Sequence, residues 1–261
     1  MPILQTGSAA TESYLRSEPP EVRRLSESLW NQYSGAPGLL DASPSYGGEV
    51  AADQKTGYIY DAQGRYYFRA DNHMKVTDKQ LRKYVENVSS AAELEMKKTT
   101  QQLIAGVILA SVWYARMRDL MAALYRTIFV LTIGGWLFED DTTRNFFYVL
   151  ALLQFSWLDN FYYQIEHELQ PLNGQAMARA GSYGRYGNGL YQNIFLDRDI
   201  AENKKTEARR ILGPNENHCH DSSDRPGCIE LARQGWIPIE QMTHIGGATC
   251  YTHCMCRIQT R

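Results

Sequence analysis

Between Pro214 and Arg261 the chain gathers all five of its cysteines and four of its six histidines. The order is His218-Cys219-His220, then Cys228, then Cys250-Tyr-Thr-His253-Cys254-Met-Cys256. Thiolate sulfur and imidazole nitrogen are the donors that suit a tetrahedral Zn²⁺ ion. The natural four-ligand set is Cys219, Cys228, Cys250 and one of Cys254 or Cys256. His218, His220 and His253 are the substitutes. Apart from Trp236 and Ile237 the segment offers few apolar anchors, so a metal or a crosslink would supply stability that its own core does not. Eight residues separate Cys219 from Cys228 and one separates Cys254 from Cys256. These spacings differ from the two to four residues of common zinc knuckles. Structural zinc, disulfides formed in an oxidising medium and free thiols therefore all stand as readings. A catalytic zinc would need an open coordination position and an acid–base partner, and no residue is singled out for either role.

Other groups are read against plainer alternatives. Glu166-His167-Glu168 lacks a second histidine four positions on, and neighbouring residues on a helix point to different faces. It reads as the solvated end of an apolar helix. Glu139 to Asp141 reads as a helix start, where carboxylates suit the dipole. Gly-Ser-Tyr183-Gly-Arg185-Tyr186-Gly interleaves aromatics, glycines and an arginine. That composition either stacks on nucleic-acid bases or packs its tyrosines against neighbouring helices. There is no phosphate-loop, dinucleotide or nucleophile-elbow motif.

The elements that must hold these residues are mainly helical. Residues 1–56 read as an N-terminal arm and linker, with a short helix from Pro19 to Tyr33 and a Gly/Pro/Ser-rich loop from Ser34 to Val50. Residues 57–76 read as a tyrosine-rich β-hairpin turning at Asp61 to Gly64, the only substantial β element. Residues 77–213 read as a bundle of long helices. Thr77 caps a helix over 78–105, Ser111 one over 112–133, and Asp141 or Thr142 a third that ends before Pro171. The third is apolar on most sides and reads as the central buried helix or a subunit contact. Ala178 to Phe195 is rich in glycine and a poor helix by propensity. Asp197 to Gly213 reads as polar helix or loop. Residues 214–261 form the Cys/His-rich C-terminal module.

Composition limits the function. The formal net charge is −2, which argues against a strong sequence-blind grip on nucleic acid. The two apolar runs at 103–114 and 127–138 fall well short of the roughly 20 residues that span a bilayer. No secretory signal is expected at the N-terminus, so a reducing compartment at synthesis favours metal ligation over disulfides.

The tail carries a further pattern. Arg209-Arg210-Ile-Leu-Gly213 is followed by His218-Cys219, by Cys228, by Gly235-Trp236-Ile-Pro238, and by Cys250-x3-Cys254-x-Cys256. This order resembles the C-terminal part of tailed-phage head morphogenesis, or minor head, proteins. Upstream, Gly64-Arg65-Tyr66, the Gly106/Ile108/Trp113 element, Met117, Gly134-Gly135 and the aromatic stretch around Tyr183 follow the order of the same family. The wider gap between Cys219 and Cys228 departs from the family's usual two residues. The resemblance implies a non-enzymatic virion protein, made in the host cytoplasm and located in the capsid interior or neck. It would act near the portal in head assembly or in DNA packaging and ejection. The implied partners are other copies of the chain, the portal or major capsid protein, and packaged DNA, with no small-molecule substrate. The competing expectations are a zinc-dependent virion nuclease or peptidase, and an ejected protein whose apolar runs meet a membrane.

Overall fold

In the computed structural model the described residues are 43–46, 49–53, 58–61, 66–69, 72–133, 141–201, 203, 205–213, 218–249 and 256–261. The fold is mainly α. Strands β1 (Ser43–Tyr46), β2 (Glu49–Asp53), β3 (Tyr58–Asp61) and β4 (Tyr66–Arg69) come first. The long helices α1 (Asp78–Ile104), α2 (Ala110–Ile133), α3 (Asp141–Glu166) and α4 (Gly174–Ala201) follow. The chain then makes β5 (Glu207–Ile211), the short helix α5 (Cys228–Arg233), β6 (Ile237–Pro238) with a 3-10 turn, and β7 (Arg257–Thr260).

The local signals explain where α1 begins and ends. Thr77 and Gln80 form a reciprocal cap: the Gln80 N–H donates to Thr77 Oγ1 at 3.3 Å and the Thr77 N–H to Gln80 Oε1 at 2.8 Å. That satisfies donors a helix start otherwise leaves open. Leu81, Val85, Met96 and Leu103 then form the buried stripe. At the other end Gly106 takes φ +68°, a conformation that suits glycine and turns the chain into α2.

The bundle is organised around α4. Its Gly-rich sequence predicts a weak helix, yet it forms a 28-residue helix whose faces are buried against α1 and α2. The glycines supply closeness. A Cβ on Gly184 would sit 2.4 Å from the Glu93 nitrogen and 2.6 Å from its Cα. A Cβ on Gly187 would sit 2.5 Å from Ser89 Oγ and 2.8 Å from Ile128 Cδ1. Each helical glycine costs about 0.5–1 kcal/mol against alanine. Backbone contact between α1 and α4 offsets that cost through dispersion that a wider separation would lose.

Aromatic residues fill the remaining volume. Trp113, 0% exposed, meets Phe161 edge-on at 5.2 Å and donates its indole N–H to Thr100 Oγ1 at 2.9 Å. The Tyr125 hydroxyl donates to the Tyr183 carbonyl at 3.1 Å. Burial, and then the neighbouring Tyr186 and Tyr183, hold the Tyr125 phenol well above its ordinary pKa. The hairpin is fastened to the bundle by the Tyr67 hydroxyl, which donates to the Leu131 carbonyl at 2.6 Å.

Four expectations are corrected. The hairpin is not the only β element: β1 and β2, in part of the stretch read as a loop, extend it to a four-stranded antiparallel meander. Glu207–Ile211, read as polar helix or loop, is the middle strand of a second antiparallel sheet ordered β6-β5-β7. The C-terminal module therefore starts at β5, before the expected boundary at Pro214. Its own core, with Leu231, Ile239, Ile245 and Ile258 among its members, is distinct from that of the bundle. The buried centre is α4; α3, read as the central buried helix or a subunit contact, packs mainly on α2 within the chain. The expected helix over Pro19–Tyr33 lies outside the described residues.

Changing Gly184 to alanine would force Cβ into α1 backbone that cannot swing aside. We expect a loss of about 2–3 kcal/mol. Gly174→Ala, where nothing lies within 4 Å, should stay within about 0.5 kcal/mol of the parent. Chemical denaturation of the two variants gives the comparison.

Candidate metal centre

The C-terminal module is built on β5. Its register with β7 pairs Arg210 with Ile258 and Ala208 with Thr260. Alternation then sends Ala208, Arg210 and Ile258 to the buried side. Cys256, just ahead of β7, is 3% exposed and belongs to the same core. Glu207, Arg209, Gln259 and Arg261 lie on the outer side, where Arg209 and Arg261 each place a guanidinium over the Trp236 ring, at 4.7 and 4.3 Å.

The His218–His220 segment runs past the start of α5. The Cys228 N–H donates to Cys219 Sγ at 3.2 Å, and the Ile229 N–H to the Cys219 carbonyl at 3.3 Å. The approach needs a glycine before Cys228: a Cβ on Gly227 would lie 2.3 Å from the His220 carbonyl carbon. Asp221 Oδ1 accepts the Gly227 N–H at 2.5 Å. Thr249 ties in the following loop, donating its hydroxyl to the His220 carbonyl at 2.8 Å and its N–H to the Pro226 carbonyl at 3.1 Å.

Four of the eight candidate ligands are thus brought to one region. Cys228 and Cys256 share the module core, Cys219 packs against it, and His218 Nδ1 lies 3.9 Å from Cys256 Sγ. A backbone N–H aimed at sulfur favours the thiolate form that metals bind. Arg210 places a guanidinium, 2% exposed, on the same buried face as Cys256. It donates to the Thr243 carbonyl and, at 3.3 Å, to the His244 carbonyl, while its Nε and Nη1 make no hydrogen bond. Soft sulfur, one imidazole and N–H donors to sulfur fit the donor preferences of Zn²⁺. Among the described residues no three metal-binding side chains converge into a ligand group. Cys250, His253 and Cys254 lie outside them.

Two expectations about binding residues change. His220 points outward: its side chain is 73% exposed and its Nδ1 lies 3.1 Å from Glu230 Oε1. That hydrogen bond is the leading reason the Glu230 carboxyl titrates below its ordinary range. Tyr183 and Tyr186 are 2% and 4% exposed and serve the bundle core, so they present no face for base stacking. Arg185 faces Glu93 at 3.6 Å. The Glu166-His167-Glu168 stretch is solvated, with His167 stacked on Tyr163 at 4.0 Å.

Sequence reading missed the polar seam that docks the module on α4. His244 Nε2 lies 2.8 and 2.9 Å from the two oxygens of Asp197, which is 7% exposed. Asn193, fully buried, accepts the Ile245 N–H at 2.8 Å and donates to the Ile245 carbonyl at 3.0 Å. Gln192 accepts the Ile258 N–H at 2.7 Å, and Asp199 accepts the Thr260 hydroxyl at 2.9 Å. Each pair joins residues far apart in the chain, so no local periodicity announces it. Asn193→Ala would strand the Ile245 N–H and leave the Ile245 carbonyl only the Tyr186 hydroxyl, which donates to it at 3.4 Å. About 1–3 kcal/mol should be lost with the stranded N–H. Hydrogen exchange should quicken in β5 and β7 more than in α1 and α2.

Compared with protein-family models, with curated proteins and with solved structures, the chain has no match.

Proposed function

We propose that the chain is a structural protein of a tailed-phage virion, of the head morphogenesis or minor head type, and that its C-terminal module is a zinc-clasped knuckle. The observation that carries this reading is a coincidence of motif and packing. The described tail residues of the family pattern, Arg209-Arg210, His218-Cys219, Cys228, Gly235-Trp236 and Cys256, belong to a single folded unit. Arg210, Cys228 and Cys256 are inside it. Trp236 is clamped on its surface by two arginines. Gly235, with φ +70°, makes the turn between α5 and β6. Residues used in this way maintain a shape. A constellation for hydrolysis would instead place an acid–base group beside an open coordination position. In this reading the chain acts by assembly, with other copies of itself and with the portal or major capsid protein, inside the capsid or at its neck.

Zinc in this reading is held by Cys219, Cys228 and Cys256, with one donor from among His218, Cys250, His253 and Cys254 as the fourth ligand. Its work is to tie β7 to α5. The chain purified under reducing conditions should contain about one zinc per molecule. Cys228→Ser should remove it and quicken exchange in β5 and β7 while the helices stay protected. A chain that holds no zinc under those conditions would overturn the zinc assignment.

The virion assignment is tested separately. Mass spectrometry of particles purified from the phage that encodes the chain should find it at low copy number, retained with portal-containing fractions. Particles without it would sink the reading.

A further inference from the structure

A cleft separates the start of α1 and the second half of α4 from β5 and β7. It has two lobes, of about 630 and 410 Å³, which share Arg82, Tyr191, Gln192 and Arg257 as lining residues. The charged lining is uneven. Arg82, Arg185, Arg198, Lys205 and Arg257 supply five cations. Asp78, Glu86 and Asp199 supply three carboxylates. The balance is 5 − 3 = +2, in a chain whose formal net charge is −2.

The carboxylates are occupied or serve the fold more than the cations do. Asp199 accepts the Thr260 hydroxyl at 2.9 Å. Glu86 lies 3.7 Å from Lys83 on its own helix. Asp78 stands in the first turn of α1, where the helix dipole favours it. Among the cations, Arg185 lies 3.6 Å from Glu93. Arg82, Arg198, Lys205 and Arg257 make no ion pair with any described residue. Arg198 rests its guanidinium over the Phe195 ring at 4.0 Å, and its Nε is buried without a hydrogen-bond partner. Tyr191 is 5% exposed and lines both lobes. Its hydroxyl, to which Arg82, Asp78 and Arg198 couple electrostatically, has no hydrogen-bond partner among the described residues.

Four cations without an ion-pair partner among the described residues, two of them on α1 and β7 at opposite walls, and a phenolic donor between them make a receptor for a chain of phosphates. Arginine forks match phosphate oxygens in pairs, and an unpaired cation beside a half-enclosed wall attracts anions more strongly than one in open water. We propose that this cleft binds a run of phosphate groups through Arg82, Arg198, Lys205 and Arg257, with the Tyr191 hydroxyl donating to a phosphate oxygen. The ligand is a single-stranded nucleic-acid backbone or a free polyphosphate. The four cations and the phenol address phosphate oxygens and not base edges, so binding to a strand is sequence-blind. The inference deepens the virion reading only by giving the packaged nucleic acid a place on the chain. Its test uses the purified chain, so failure here leaves the particle experiment to decide that reading.

The probes are two fluorescent single-stranded DNA oligonucleotides of unrelated sequence, read by anisotropy over a range of salt, and tripolyphosphate as competitor. Each phosphate neutralised on a single strand contributes about −0.7 to the slope of log K against log salt, so four engaged cations give roughly −3. The double variant Arg82→Gln/Arg257→Gln removes two exposed side chains. It should lower the magnitude of the slope by about 1.4 and weaken binding at least tenfold, with an unchanged thermal midpoint. Arg257→Lys should keep the slope. Arg116→Gln, far from the cleft, should change neither quantity. If the oligonucleotides bind and tripolyphosphate displaces them only weakly, the occupant is a strand. If tripolyphosphate binds at least as tightly as an oligonucleotide and the double variant loses it, the occupant is free polyphosphate. Absence of binding by both probes would overturn the proposal, as would binding that the double variant leaves unchanged.

Discussion

The backbone-to-backbone approach of α1 and α4 is the constraint on which the rest of the molecule depends. A Cβ at Gly184 would overlap Glu93, so the spacing of the two helices is fixed by an absent side chain. With that spacing set, Ser89 and Ile128 close over Gly187, and α2 is drawn in against both. The far half of α4 then presents Gln192 and Asp199 to β7 and Asn193 and Asp197 to the loop at His244-Ile245, and these four residues receive the C-terminal module. The module has a core of its own, yet its position relative to the bundle follows from α4. The proposed phosphate cleft follows as well, since its two walls are α1 with α4 and β7.

The same element shows what local sequence conveys and what it does not. Thr77 and Gln80 declare the start of α1 because their bonds close within one turn. The Trp113 region reads as core because its apolar spacing is helical. The run from Ala178 to Phe195 misleads because propensity weighs each glycine against water, whereas in the folded chain each lies against another backbone. A sequence-only reading gives α3 the centre because it is the more apolar helix. The centre belongs instead to the helix that can be approached most closely.

The tail was legible in part. Its Cys/His residues were visible, and Cys219, Cys228 and Cys256 belong to or pack on one core, although among the described residues no three metal-binding side chains converge. The strand that organises them was not visible. Glu207-Ala-Arg-Arg-Ile211 reads as polar because Arg210 is charged, but Arg210 is buried and answered by the carbonyls of Thr243 and His244. A charge can occupy a strand's inner face when distant backbone receives it, and that partner is invisible until the fold is known. The outward turn of His220 and the burial of Tyr183 and Tyr186 have the same cause. Residue type signals a chemical capability, and the surrounding packing decides whether the capability is exposed.

The pairing of β5 with β7 also orders events in time. On a ribosome the helices up to α4 can dock as they emerge, because their contacts need only residues already made. Strand β5 cannot. Its main partner comes from residues 257–260, so β5 waits with a bare edge while the intervening segment is synthesised. Such an edge is a site for mispairing with other chains. The charged outer positions Glu207 and Arg209 discourage flat stacking during that interval. The module is thus the last part of the described chain to mature, and the cleft beneath β7 takes shape only once that strand has arrived.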